Sequence, residues 1–184
     1  MIQGPAIYGT FPSRWVEAAA GFAAARDRSN CHTRGSNMDR GESKNITGHV
    51  LGMIGERLAQ EHRPDLGVSP KRLHASGACA PKVDGIGGID VKSSPWGRHR
   101  VLVNCRQAAS TELRGVVVVL IDISRTLFWM SPVVPIEAIR SWPVFDGKYG
   151  DPAHYQTQAG FLAMFPIFNQ GAAAEKPEGV GSPR

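Results

Sequence analysis

The chain has 184 residues, with 21 Lys plus Arg against 16 Asp plus Glu, a formal net charge of +5 and a pI near 9.4. That length fits one domain with a single buried core better than two full domains, while the basic balance favours an anionic partner, nucleic acid first. The longest apolar run, VVVVLI at 116–121, is far short of the roughly 20 residues of a membrane helix, and three scattered cysteines, Cys31, Cys79 and Cys105, suit reduced thiols better than a disulfide framework. With no charged start followed by an apolar stretch at the N-terminus, a soluble cytoplasmic protein is expected.

In chain order, SRWVEAAAGFAAARDR at 13–28 predicts a helix, because Trp15, Val16, Ala19, Phe22 and Ala23 recur at helical spacing. The polar SNCHTRGSNMDRGESKN that follows reads as a long loop. Thr47 is then a reasonable N-cap for GHVLGMIGERLAQEHR, a second helix ended by Pro64. Val50, Leu51, Ile54 and Leu58 make its bulky stripe. Gly48, Gly52, Gly55 and Ala59 make a smooth strip on the far side, which suggests close approach by a neighbour. Strand character follows in PKVDGI, GIDVKSS, RVLVNCR, GVVVVLIDIS and TLFWM. The uninterrupted run at 116–121 predicts a strand covered on both faces, hence an α/β sheet flanked by helices. SPVVPIEAIRSW gives a short helix after Pro135. The remainder shows little period, and GAAAEKPEGVGSPR reads as a disordered tail. The implied plan is an N-terminal helix and basic arm at 1–46, a core at 47–169 and a tail at 170–184.

The stretch DGIGGIDVKSS, residues 84–94, concentrates the chemistry. Two hairpin registers are open. A three-residue loop, Ile86 to Gly88, pairs Asp84 with Asp90 and needs Gly88 in the left-handed region; a two-residue Gly87-Gly88 turn puts the aspartates on opposite faces. In the first register two carboxylates lie about 5 Å apart at the backbone, with Lys92 on the same side. Facing like charges call for compensation, and Mg²⁺ is held by one or two protein carboxylates together with water and phosphate oxygens. A lysine beside such a site is placed to stabilise charge developing on a phosphate. The plain alternative is an exposed hairpin with a surface salt bridge worth about 0–1 kcal/mol.

D-x5-D-V-K, preceded by a helix carrying G-x-x-G-E-x-x-A, resembles the PD-(D/E)XK nuclease superfamily, the restriction-endonuclease-like fold. The resemblance covers about residues 48–130 and lacks the nominal proline, since Val83 precedes Asp84. It implies a restriction-endonuclease-like core with a central mixed β-sheet flanked by helices. Asp84 matches the first acid, Asp90 the second metal-binding acid, Lys92 the catalytic lysine and Glu56 the glutamate that many members add from the preceding helix. The resemblance therefore implies Mg²⁺, or Mn²⁺ in its place, held by Asp84, Asp90 and Glu56.

Downstream, Arg98, His99 and Arg100 follow the hairpin in position to meet phosphates, while Asn104, Arg106 and Gln107 alternate along the next predicted strand and suit base recognition. Gln107 is also placed to border the site, and a plain polar strand face is the equal alternative for all three. GIGG lacks the rest of a phosphate-loop pattern, and the cysteines lack zinc spacing. Trp96, Trp129 and Trp142 read as core or interface residues. The expected function is a Mg²⁺-dependent, site-specific DNA endonuclease of the restriction type, acting as a homodimer because two strands of a twofold-symmetric site need two centres. The alternatives are a structure-specific recombination or repair nuclease, such as a junction resolvase, and a non-catalytic nucleic-acid-binding module.

Overall fold

The structure is a computed structural model, and the residues described are 6–29, 42–68, 86–96, 101–145 and 153–156. Around the apolar run the chain builds a mixed α/β architecture. Strand β4 (Gly115–Asp122) is buried along nearly its whole length, as a fully apolar strand must be. It pairs in parallel with β2 (Ile89–Pro95) and antiparallel with β5 (Leu127–Met130), and the latter pairs antiparallel with β1 (Ile7–Thr10). The sheet order is β1-β5-β4-β2, with the two-residue β6 (Val134–Pro135) also bonded to β4. A second, three-stranded sheet has the order β3-β8-β7, formed by Leu102–Asn104, His154–Gln156 and Val144–Phe145.

Alternation along β4 divides the core in two. Val117, Val119 and Ile121 face a cluster that includes Phe11, Trp15, Ala19, Ala23, Val50, Leu51, Ile54 and Leu58 from the N-terminal segment and helices α1 (Arg14–Ser29) and α2 (Glu42–His62). Val116, Val118 and Leu120 face Val101, Val103, Ala108, Trp129, Ile136 and Ile139, contributed by the small sheet, by β5 and by helices α3 (Cys105–Ala108) and α4 (Ile136–Arg140). Each face of β4 is thus covered, as its unbroken apolar sequence requires. Trp96 and Trp142 pack against the second cluster and Trp129 lies inside it, so all three tryptophans are packing residues here.

Several expectations change. Helix α2 starts at Glu42, five residues before Thr47, which is an exposed helical residue and not the cap; nothing in ESKNI is a strong helix breaker. Of the smooth strip, Gly55 alone among the three glycines is pressed against a neighbour. A Cβ there would overlap Ser93 Oγ and lie 3.1 Å from Ser93 Cβ, whereas Gly48 and Gly52 face open space. Strand β1 was not legible in QGPAIYGTF, and it places residues 7–10 in the same sheet as the core. The boundary at residue 46 accordingly cuts through elements that pack together, since α1 and Trp15 belong to the first cluster. Among the described residues, no helix is long and apolar enough to cross a membrane.

Candidate active site

Strand β2 turns its residues alternately to the two layers. Val91 and Ser93, paired with Val117 and Val119, face α2; Asp90, Lys92 and Ser94, paired with Val116, Val118 and Leu120, face the layer of α3 and α4. The acid and the lysine of D-V-K therefore share one side. They meet: Lys92 Nζ stands 2.6 Å from Asp90 Oδ2. Asp90 is 3% exposed, while the lysine side chain keeps 28% exposure and reaches solvent. This is not the loose surface pair of the plain reading, because a carboxylate this far from water requires charge and hydrogen-bond partners.

One further partner comes from α3. Gln107 Nε2 donates to Asp90 Oδ2 at 2.7 Å, so a single carboxylate oxygen receives an ammonium and an amide. The expectation of a continuous strand carrying Asn104, Arg106 and Gln107 in alternation is corrected here. Asn104 is extended, with φ −60° and ψ 129°, and its Oδ1 accepts from Arg106 N at 2.8 Å, which caps α3 and ends the strand. Asn104 is thereby engaged as a cap, Gln107 turns to Asp90, and Arg106 stays exposed. Of the roles open to Gln107 in the sequence, a contact with Asp90 is the one its geometry gives.

The turn entering β2 is built as its glycines require. Ile86–Gly88 form a single tight turn, with φ of +72° at Gly87 and +81° at Gly88. A Cβ on Gly88 would overlap the Glu112 carbonyl oxygen, and Gly88 O accepts from Arg114 N at 2.8 Å. Positive φ at both glycines suits a two-residue Gly87-Gly88 turn as well as a loop ending on left-handed Gly88, so the turn leaves both registers open. Asp84, Arg98, His99 and Arg100 lie outside the described residues, and so does the pairing of Asp84 with Asp90.

Glu56 is 4% exposed. It follows Gly55, the residue that brings α2 against Ser93 on the other face of the sheet, so it rises from the layer across β2 from the Asp90 carboxylate. Among the described residues the carboxylate within 4 Å of Lys92 Nζ belongs to Asp90. The structure thus brings Asp90, Lys92 and Gln107 together, while Glu56 is buried on α2. Among the described residues no three His, Cys, Asp or Glu side chains form a metal-holding group. By donor type the buried carboxylates suit a hard, oxygen-preferring cation, and Mg²⁺ takes only one or two of them from a protein.

A separate cleft of about 500 Å³ opens at the far ends of β2 and β4, lined by Pro95, Trp96, Asp122 and Arg125 among others. Pro95 lies five positions beyond Asp90, about 16 Å along the strand. Asp122 there anchors the β4–β5 turn: its Oδ1 accepts from Ser124 Oγ at 2.6 Å, Ser124 N at 3.0 Å and Arg125 N at 3.1 Å. Those hydrogen bonds, led by the Ser124 hydroxyl, hold the Asp122 carboxyl below its ordinary value against the opposing effect of burial. Comparison with protein-family models, with curated proteins and with solved structures gives no match to this chain.

Proposed function

We propose that this chain is a Mg²⁺-dependent DNA endonuclease on a restriction-endonuclease-like core, site-specific and working as a homodimer. The observation that carries the reading is the Asp90–Lys92 pair, set two residues apart on one face of β2 with the carboxylate buried and the lysine side chain partly exposed. A surface salt bridge has no need of a carboxylate 3% exposed with a third group on the same oxygen. The net charge of +5 supports an anionic polymer as substrate.

In this reading Asp90, with Asp84 and Glu56, would hold the cation, which when bound lowers the pKa of water and offsets phosphate charge. Lys92 has two roles. Without substrate it neutralises Asp90, and from its partly exposed side chain the ammonium would meet a phosphate oxygen, where it offsets the charge that grows as the phosphodiester is attacked. Gln107 keeps the Asp90 carboxylate in one orientation through either arrangement. Of the three acids, Asp90 carries the structural support, and Glu56 would reach the site from α2, on the layer across β2.

The test is cleavage of plasmid, defined duplexes and branched junctions by the purified chain with Mg²⁺ or EDTA, beside Asp90→Ala and Lys92→Ala. Discrete duplex fragments that both variants fail to produce are the expected result. Cleavage confined to branched substrates would replace site specificity with structure specificity. DNA binding without cleavage of any substrate would identify a non-catalytic module instead.

A further inference from the structure

Helix α3 has four residues, too few to offset the cost of nucleating a helix in isolation, yet it must hold the Gln107 amide 2.7 Å from Asp90 Oδ2. Its position is fixed from both ends. At the N-terminus Asn104 caps it. At the other end the carbonyl of Ala108, one of those a helix leaves without an internal partner, accepts two hydrogen bonds from one guanidinium: Arg140 Nε at 3.1 Å and Nη2 at 2.7 Å. Arg140 closes α4, whose Ile136 and Ile139 are buried in the second cluster beside Ala108. A rigid connection therefore runs from the core through α4 and Arg140 to the residue next to Gln107.

We infer that Arg140 is a positioning residue for the Asp90–Lys92 site, acting at a distance through α3 and the Gln107 amide. Two features favour this over a purely structural role. The guanidinium tie spans 32 positions of sequence and ends on the carbonyl adjacent to Gln107, whose amide donates to Asp90. Both donors also converge on one oxygen, a geometry that fixes direction as well as distance and that an ammonium cannot reproduce. The consequence for cleavage rests on the nuclease reading; the placement of Gln107 does not.

The experiment has two arms on the full chain. The first follows the Gln107 side-chain amide by NMR, assigned by its absence in Gln107→Ala. In the wild type slow exchange of the amide protons with solvent is expected; in Arg140→Ala it should accelerate at least tenfold while the backbone amides of β4 remain protected, with Arg140→Lys intermediate. An unchanged Gln107 amide in both variants overturns the proposal. If Arg140→Ala does not fold, Arg140→Lys decides alone, its unchanged amide counting against.

The second arm is a double-mutant cycle on the cleavage rate constant. Arg140→Ala and Gln107→Ala are each expected to lower it about tenfold, and the pair no further than either single variant. Fully additive losses overturn the proposal. Were the wild type inactive on every substrate, the nuclease reading would fail and the amide arm would still judge the role of Arg140.

Discussion

Asp90 is the residue whose environment most restricts its role. Its Oδ2 receives Lys92 and Gln107 while the side chain is nearly excluded from water, so removing either donor leaves a buried anion undercompensated. Lys92→Ala is expected to destabilise the chain by about 2 kcal/mol in EDTA. If the carboxylate then takes a divalent cation in the lysine's place, Mg²⁺ should raise the melting temperature of Lys92→Ala more than that of the wild type. Equal shifts in thermal denaturation would argue that Asp90 does not bind metal. Gly88 sits at φ +81° against the Glu112 carbonyl, and Gly88→Ala should cost about 2 kcal/mol or more in denaturant unfolding, which an unchanged midpoint would refute. At this scale D-x-K was legible, because parity along a strand places residues 90 and 92 together whatever lies around them. The attachment of Gln107 was legible only as one of three options. Arg140 was not legible at all, since its bonds go to a backbone carbonyl 32 residues away and carbonyls leave no sequence signature.

Among the elements, α2 and β2 are joined where Gly55 meets Ser93. Gly55→Ala should cost about 1–3 kcal/mol by overpacking. Ser93→Ala in the same chain should recover only part, because the two Cβ positions would remain 3.1 Å apart. A Gly55→Ala protein as stable as the wild type would show that the helix can shift off the strand. Periodicity revealed the bulky stripe of α2 and the long strand β4, whose side chains alone carry enough apolar pattern to name them. It missed β1, a four-residue edge strand whose existence depends on pairing with β5, and it ran the β3 strand two residues too far because a capping Asn and a strand Asn look alike in sequence. The β4–β5 turn carries a pH signature. Since the folded value of Asp122 is depressed, its stabilisation is full above the ordinary carboxylate value of about 4 and is lost as pH falls through the folded value. Asp122→Asn should therefore flatten the loss of stability below about pH 4, and an unaltered acid limb in urea titrations would contradict the assignment.

The molecule as a whole places its candidate chemistry on the layer opposite α1 and α2, where the sheet edge at β2 meets α3. Mixed α/β architecture was readable from the apolar run at 116–121, which demanded cover on both faces; the division of that cover between two helices on one side and a small sheet with two short helices on the other was not, because β7 and β8 have two and three residues and no period. A chain with net charge +5 that binds DNA through phosphates should lose more than tenfold in affinity between about 50 and 200 mM salt. Affinity indifferent to salt would set nucleic acid aside as the partner. The most direct measurement is the single-turnover rate of duplex cleavage in Mg²⁺ for the wild type, Asp90→Asn and Lys92→Ala, with DNA affinity measured in parallel. Rates in both variants should fall roughly 10²- to 10⁴-fold with affinity changed only a few-fold. A wild type that cuts no duplex or branched DNA, or variants that cut as fast as it does, would contradict a catalytic Asp90–Lys92 pair.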